Sequence, residues 1–147
     1  MSNRLIQNVI ATEAGWAPLA LRIPVGIVFV AHGAQKLFGW FGGYGLVATG
    51  QYFESTLGMS PGIVFATLAG LVEVFGGLAL VLGLLTRPAA LAVAVFMGVA
   101  LSVHVPNGFF WTEGGIEYPL MWGVIAVAIF LRGGDEYSLD ARFGLRI

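Results

Sequence analysis

Several ionisable side chains stand inside long apolar stretches of this sequence: Arg22, His32, Lys36, Glu73, His104 and, at the margin of its stretch, Glu117. A charge in such a place costs about 3 kcal/mol or more unless it is paired or solvated. The residue types suit proton and carbonyl chemistry. A lysine is a fixed donor, a histidine exchanges protons near neutral pH, and a carboxylate accepts from both. His32 and Lys36 are four apart, so they share a helix face. With Glu73 they form the candidate catalytic set, in which Lys36 donates to a carbonyl, His32 exchanges a proton and Glu73 tunes both. The alternative for Lys36 and Glu73 is interhelical glue that fixes packing register, and for His32 a ring bonded to a backbone carbonyl. His32 and His104 also raise a haem or a two-histidine-one-carboxylate metal site. No local ligand spacing supports either, so neither a metal nor a haem is expected.

These groups need elements to hold them. Of the 147 residues 58% are apolar and only 10% charged, against about 25% charged in a soluble domain. Too few charges remain to cover a surface facing water, and they collect between apolar runs. The runs predict transmembrane helices at about 17–41, 62–85, 88–105 and 117–132. The second opens on Ser60-Pro61, a cap followed by a first-turn proline. The turn Thr86-Arg87-Pro88 makes the second and third helices antiparallel neighbours. The fourth is short for a hydrocarbon core of roughly 30 Å. The 22 glycines, many inside the runs, permit the close backbone contacts that replace the hydrophobic effect between helices in lipid. The fold class is therefore all-α, an integral membrane four-helix bundle forming one domain over residues 1–147. Leu5, Ile6, Val9 and Ile10 share a helical face, which reads either as a short interfacial helix or as a frayed tail.

Four spans place Arg4, Arg22, Arg87, Arg132, Arg142 and Arg146 on one side and only Lys36 on the other. By the positive-inside rule both termini are cytoplasmic. Counting about 1.5 Å per residue from that side, Arg22 lies roughly 8 Å deep, Glu73 about 20 Å, His32 about 22 Å, His104 about 24 Å and Lys36 about 28 Å. Side chains lean toward their helix N-terminus, so Lys36 on an ascending helix and Glu73 on a descending one lean toward each other. A Lys36–Glu73 pair beside His32 is expected, with His104 arriving from the third helix, and Arg22 is expected to snorkel to the cytoplasm. The outer loop 104–119 is aromatic, glycine-rich and free of lysine and arginine. It reads as a cap whose rings, Phe110 among them, cover together with Trp40 a flat amphipathic ligand beside His104 and Glu117, or else as an interfacial belt with Trp16, Trp40, Trp111, Tyr118 and Trp122. The absence of cysteine excludes disulfides and thiolate chemistry within the chain, and a net charge of −1 gives no basic patch for nucleic acid. The first fifteen residues lack the apolar core of a cleavable signal peptide.

The run His32-Gly33-Ala34-Gln35-Lys36-Leu37-Phe38-Gly39-Trp40-Phe41-Gly42-Gly43 resembles the signature of the DoxX family of small bacterial membrane proteins. So do Glu73-Val74-Phe75-Gly76-Gly77, Leu82-Gly83-Leu84-Leu85-Thr86-Arg87, Gly108-Phe109-Phe110, Gly115-Ile116-Glu117-Tyr118-Pro119-Leu120 and Tyr137-Ser138-Leu139-Asp140. The resemblance spans about residues 18–140. It implies a four-helix protein of the bacterial inner membrane, associated with oxidoreductase assemblies. DoxD relatives are subunits of thiosulfate:quinone oxidoreductase, and other relatives are linked to quinone detoxification. The leading expectation is a membrane subunit of a quinone-linked oxidoreductase, with no covalent cofactor. Its partners would be membrane lipids together with a redox protein or further copies of itself. The alternatives are a non-catalytic anchor that assembles partner proteins and a small proton or solute path, which would need an oligomer.

Overall fold

The computed structural model describes residues 15–145. The stretch at Leu5, Ile6, Val9 and Ile10, and the arginines Arg4 and Arg146, lie outside them. Helix α1, Ala17–Phe38, opens with Pro18 in its first turn and closes at Gly39, whose left-handed backbone (φ 71°) returns its N–H to the carbonyls of Ala34 and Gln35. It ends three residues before the expected position 41. Gly39 and then Phe41 (φ 53°) turn the chain aside.

A second helix, α2 (Gly45–Ser55), occupies what the sequence presented as a link between spans. It is too short and too interrupted by polar residues to register as a span. It packs on the start of α3, where a Cβ on Gly50 would come within 3.0 Å of the Ile63 Cα. Helix α3 runs from Gly62 to Leu82. Its first turn is not capped by Ser60. Glu54 of α2 accepts the Gly62 N–H at 3.1 Å, and the Ser60 hydroxyl donates to the same carboxylate at 3.3 Å. Over Val72–Gly76 α3 widens into a π-turn that contains Glu73. It stops at Gly83 (φ 65°), before the expected position 85. Helix α4 spans Thr86–His104, α5 Glu117–Arg132 and α6 Leu139–Arg142.

Helices α1, α3, α4 and α5 form the bundle, with α2 packed on α1 and the first half of α3. Their shared core comprises Val25 and Phe29 of α1, Leu80 of α3, Val93 and Met97 of α4, and Ile129 of α5, together with buried alanines. Outward faces carry exposed apolar residues such as Ile27, Val95, Val124 and Leu131, as lipid-facing surfaces do. Helices α1 and α3 and the stretch Thr86–Asn107 are long and apolar enough to cross a membrane. The 16 residues of α5 rise only about 24 Å, short of a hydrocarbon core of roughly 30 Å.

Helices α1 and α3 meet glycine on glycine. A Cβ on Gly26 would stand 2.5 Å from the Gly77 carbonyl oxygen, and one on Gly77 would stand 2.6 Å from that of Gly26. One turn pair further along α1, a Cβ on Gly33 would meet Val74 at 2.7 Å and the Glu73 Cβ at 2.9 Å. Glycine at 26 and 33 thus brings α3 and its π-turn against α1.

Candidate functional site

Two polar clusters lie at opposite ends of the bundle. The first joins the start of α1, the α3–α4 turn and the segment after α5. Arg22 does not snorkel to water. Its side chain is 1% exposed, and Nε pairs with Asp135 Oδ2 at 2.7 Å while Nη1 donates to the carbonyls of Leu80 (3.0 Å) and Val81 (2.6 Å). Leu80 and Val81 lie in the last turn of α3, where end carbonyls run short of intrahelical donors, and the guanidinium supplies further ones. Burial alone would raise the Asp135 carboxyl, but the hydrogen bonds and charge of Arg22 outweigh it and hold this group below the ordinary carboxylate range.

Asp140 completes the cluster. Its carboxylate accepts the backbone N–H groups of Leu85 (2.7 Å) and Thr86 (2.8 Å) and the Thr86 hydroxyl (2.6 Å). It caps α4 from a remote segment, because the turn before α4 leaves Leu85 in a left-handed conformation without a side-chain cap of its own. Asp140→Ala is expected to destabilise the fold by about 2–3 kcal/mol, read as a lowered thermal midpoint in detergent. Asp135 and Asp140 were not singled out in the sequence. The available signal was an acidic pair just past the last span, on the side where Arg22 needs a partner.

The second cluster lines a cavity of about 800 Å³ in the opposite half of the bundle. Lys36 Nζ and Glu73 Oε1 are 2.8 Å apart, the pair expected from the two helix directions. Gly33 makes this pair possible by letting the π-turn approach α1. The π-turn in turn carries Glu73, a recurrent use of such turns at functional sites. Glu73 is 4% exposed, and its second oxygen, Oε2, has no hydrogen-bond partner. His32 and His104 both line the cavity. His32 Nδ1 lies 2.9 Å from the Val28 carbonyl and His104 Nδ1 lies 2.6 Å from that of Gly114. A carbonyl only accepts, so Nδ1 carries the proton in each ring, and Nε2 of the neutral ring is left as an acceptor. The remaining lining is apolar and aromatic, including Tyr52 and Phe53 of α2, and Trp122 of α5 packed edge-on to Phe29.

Other expected site residues fall elsewhere. Glu117 does not line the cavity. One of its oxygens accepts the Trp111 N–H at 3.0 Å and so ties the loop 104–119 to the start of α5. Phe110 is exposed and packs edge-on to Phe109, and Trp40 is exposed and packs against Phe38 and Phe41. Neither ring lines the cavity. Trp111 and Tyr118 stack at 5.4 Å with only 4° between their planes, and of the two Tyr118 reaches the cavity. The loop is held by its own contacts, and part of the cavity wall comes from α2, whose existence the sequence did not signal. Among the described residues no three His, Asp or Glu side chains gather closely enough to hold a metal ion.

The DoxX family profile matches residues 17–106, which include α1 to α4 and every cavity group named above except Tyr118 and Trp122. The chain belongs to the DoxX family. An uncharacterized membrane protein of Mycobacterium tuberculosis is 32% identical over 145 residues, covering 87% of this chain and 82% of that one. An uncharacterized protein of Haemophilus influenzae is 30% identical over 131 residues, covering 84% and 87%. No solved structure matches. The DoxX segment thus holds both halves of the Lys36–Glu73 pair and both histidines, while Asp135 and Asp140, which brace the other pole, lie beyond the matched residues.

Proposed function

We propose that this DoxX protein is the membrane subunit of a quinone-linked oxidoreductase assembly, with the quinone ring bound among Lys36, Glu73, His32 and His104. The observation that carries the reading is the cavity itself. It is large and nearly all apolar, and its few polar groups include a lysine paired with a carboxylate and two histidine acceptors. Such a lining suits a flat ring with polar oxygens at its edge. The orphaned Oε2 of Glu73 also fits a ligand, since a buried acceptor without a partner costs stability that a bound donor recovers. When bound, a quinone supplies coupled electron and proton chemistry. The chain's own part is to position and to hold protons. Lys36 keeps donors free beyond the one given to Glu73, and His32 Nε2 can take a proton while Nδ1–H stays on Val28.

The distribution of Arg22, Arg87, Arg132 and Arg142 at the pole opposite the cavity supports an inner-membrane orientation with both termini cytoplasmic, which places the site in the outer half. A non-catalytic anchor is the second reading. It draws on the other pole, where the segments around 82–87 and 137–140 serve packing and capping. The two part on Glu73→Gln. The quinone reading expects protein purified from bacterial membranes to carry extractable quinone, and this substitution to lower its content about tenfold with the thermal midpoint little changed. No quinone in the extract and no binding of a quinone analogue would refute it. A loss of complex yield instead of ligand would favour the anchor.

A further inference from the structure

The cavity is not closed on all sides. Helix α4 packs on α3 from the π-turn onward, over 72–82, but hardly on its first half, Gly62–Leu71. The two helices diverge there, and the cavity occupies the gap. Its edges are Phe65 and Leu68 on α3 and Val95 and Val99 on α4, all on the outward, lipid-facing surface; Leu68 is 54% exposed and Val95 61%. At the inner end stand Lys36 and Glu73. The space therefore runs from a buried ion pair to the hydrocarbon, between apolar walls, and one ring fills only part of it.

The hydrogen bonding at the inner end is unbalanced in a telling way. Lys36 donates to Glu73 Oε1 at 2.8 Å, and Oε2 is left buried with nothing donating to it. A carboxylate oxygen only accepts. A ring that carries only carbonyl oxygens satisfies the lysine and leaves Oε2 as it was. A ring that carries a hydroxyl satisfies both.

We infer that the cleft takes its ligand sideways from the lipid as a long-tailed ring amphiphile in its hydroxylated form, the phenolic O–H donating to Glu73 Oε2 and the tail leaving between the first half of α3 and α4. This rests on the quinone reading and adds to it a redox-state preference, for quinol over quinone, and a route. A buried acceptor left without a partner is costly, so the preference for a ligand that donates to it is at least about tenfold in affinity. Glu73→Gln alters it in a particular direction. Lys36 must keep an oxygen facing it, which turns the amide NH₂ to the place of Oε2 and exchanges an acceptor for a donor.

The test uses the full chain in lipid nanodiscs and three probes: a long-chain alkylresorcinol, which resists oxidation, its dimethyl ether, and a long-chain quinone. The wild type is expected to bind the resorcinol at least about tenfold more tightly than the ether, and Glu73→Gln to abolish or reverse that order. A photoreactive diazirine on the resorcinol tail is expected to label residues of Gly62–Leu71 and α4. Equal binding of resorcinol and ether to the wild type, with the quinone still bound, overturns the donor assignment and leaves the quinone reading standing. Labelling confined to the outer loop overturns the lateral route. Binding of none of the three probes overturns this inference and the quinone reading together, and a stable dimer under those conditions would give the cleft to a helix of a second copy.

Discussion

Replacing Arg22 by alanine is expected to destabilise the protein by about 3–5 kcal/mol, because it strands a buried carboxylate and removes the side-chain donor to two helix-end carbonyls at once. Asp135 is fully buried at its side chain, and the carbonyls of Leu80 and Val81 take their hydrogen bonds from the same guanidinium. Arg22→Lys restores the charge but not the fork, so it recovers only part of the loss. The pH dependence separates this pair from general packing. The folded Asp135 carboxyl is held below its unfolded value, so the stability it contributes is fully present above the ordinary carboxylate range. It is lost as pH falls below about 4 and through the lowered folded pKa. Thermal midpoints of the wild type in detergent should therefore fall on that acid limb. In Arg22→Ala/Asp135→Asn the limb should flatten, and the double variant should be more stable than Arg22→Ala alone. A midpoint unchanged by Arg22→Ala would mean that the pair contributes nothing.

The second large effect concerns Gly33. Its missing Cβ is what allows the π-turn of α3 to reach α1, and the neighbours a methyl would meet are the backbone nitrogen of Val74 at 2.8 Å and the Glu73 Cβ at 2.9 Å. Backbone cannot swing away as a flexible side chain can. Gly33→Ala is expected to separate the helices locally, at a cost of about 1–3 kcal/mol, and Gly33→Val to cost more. Because Lys36 lies one turn along the same helix, the substitution should also pull the ammonium from Glu73 and lower ligand binding by at least about tenfold, a larger loss than stability alone explains. Gly98 supplies the control. A Cβ there meets nothing within 4 Å, so Gly98→Ala should be neutral or stabilising by about 0.5–1 kcal/mol through lower backbone entropy in the unfolded chain. Equal effects at the two positions would show that helix propensity, not close approach, governs Gly33.

The sequence carried some of this arrangement and concealed the rest for physical reasons. The long apolar runs located α1, α3, α4 and α5, and helix direction placed Lys36 opposite Glu73, because periodicity and lean are local properties. Helix α2 was missed because eleven residues with scattered polar groups neither span nor show a strong stripe. Its contribution to the cavity, Tyr52 and Phe53, went with it. Arg22 was misplaced because snorkelling is the default for an arginine near a membrane edge, and only the fold brings Asp135 across 113 residues to hold it inside. Trp40, Phe110 and Glu117 were assigned to the ligand from composition alone, whereas Glu117 fastens the loop and the two rings pack on their neighbours. The π-turn at Glu73 has no distinct local signature. It packs against Gly33 of α1, a contact that the residues forming it do not announce.

A density map of the protein in native bacterial lipid tests the central claim most directly. The account predicts a planar ring in the cleft, an oxygen within hydrogen-bond distance of both Lys36 Nζ and Glu73 Oε2, and a tail running out between the first half of α3 and α4. A cleft filled by phospholipid acyl chains, or by a helix of a second copy, with Glu73 Oε2 still unpartnered, would contradict it.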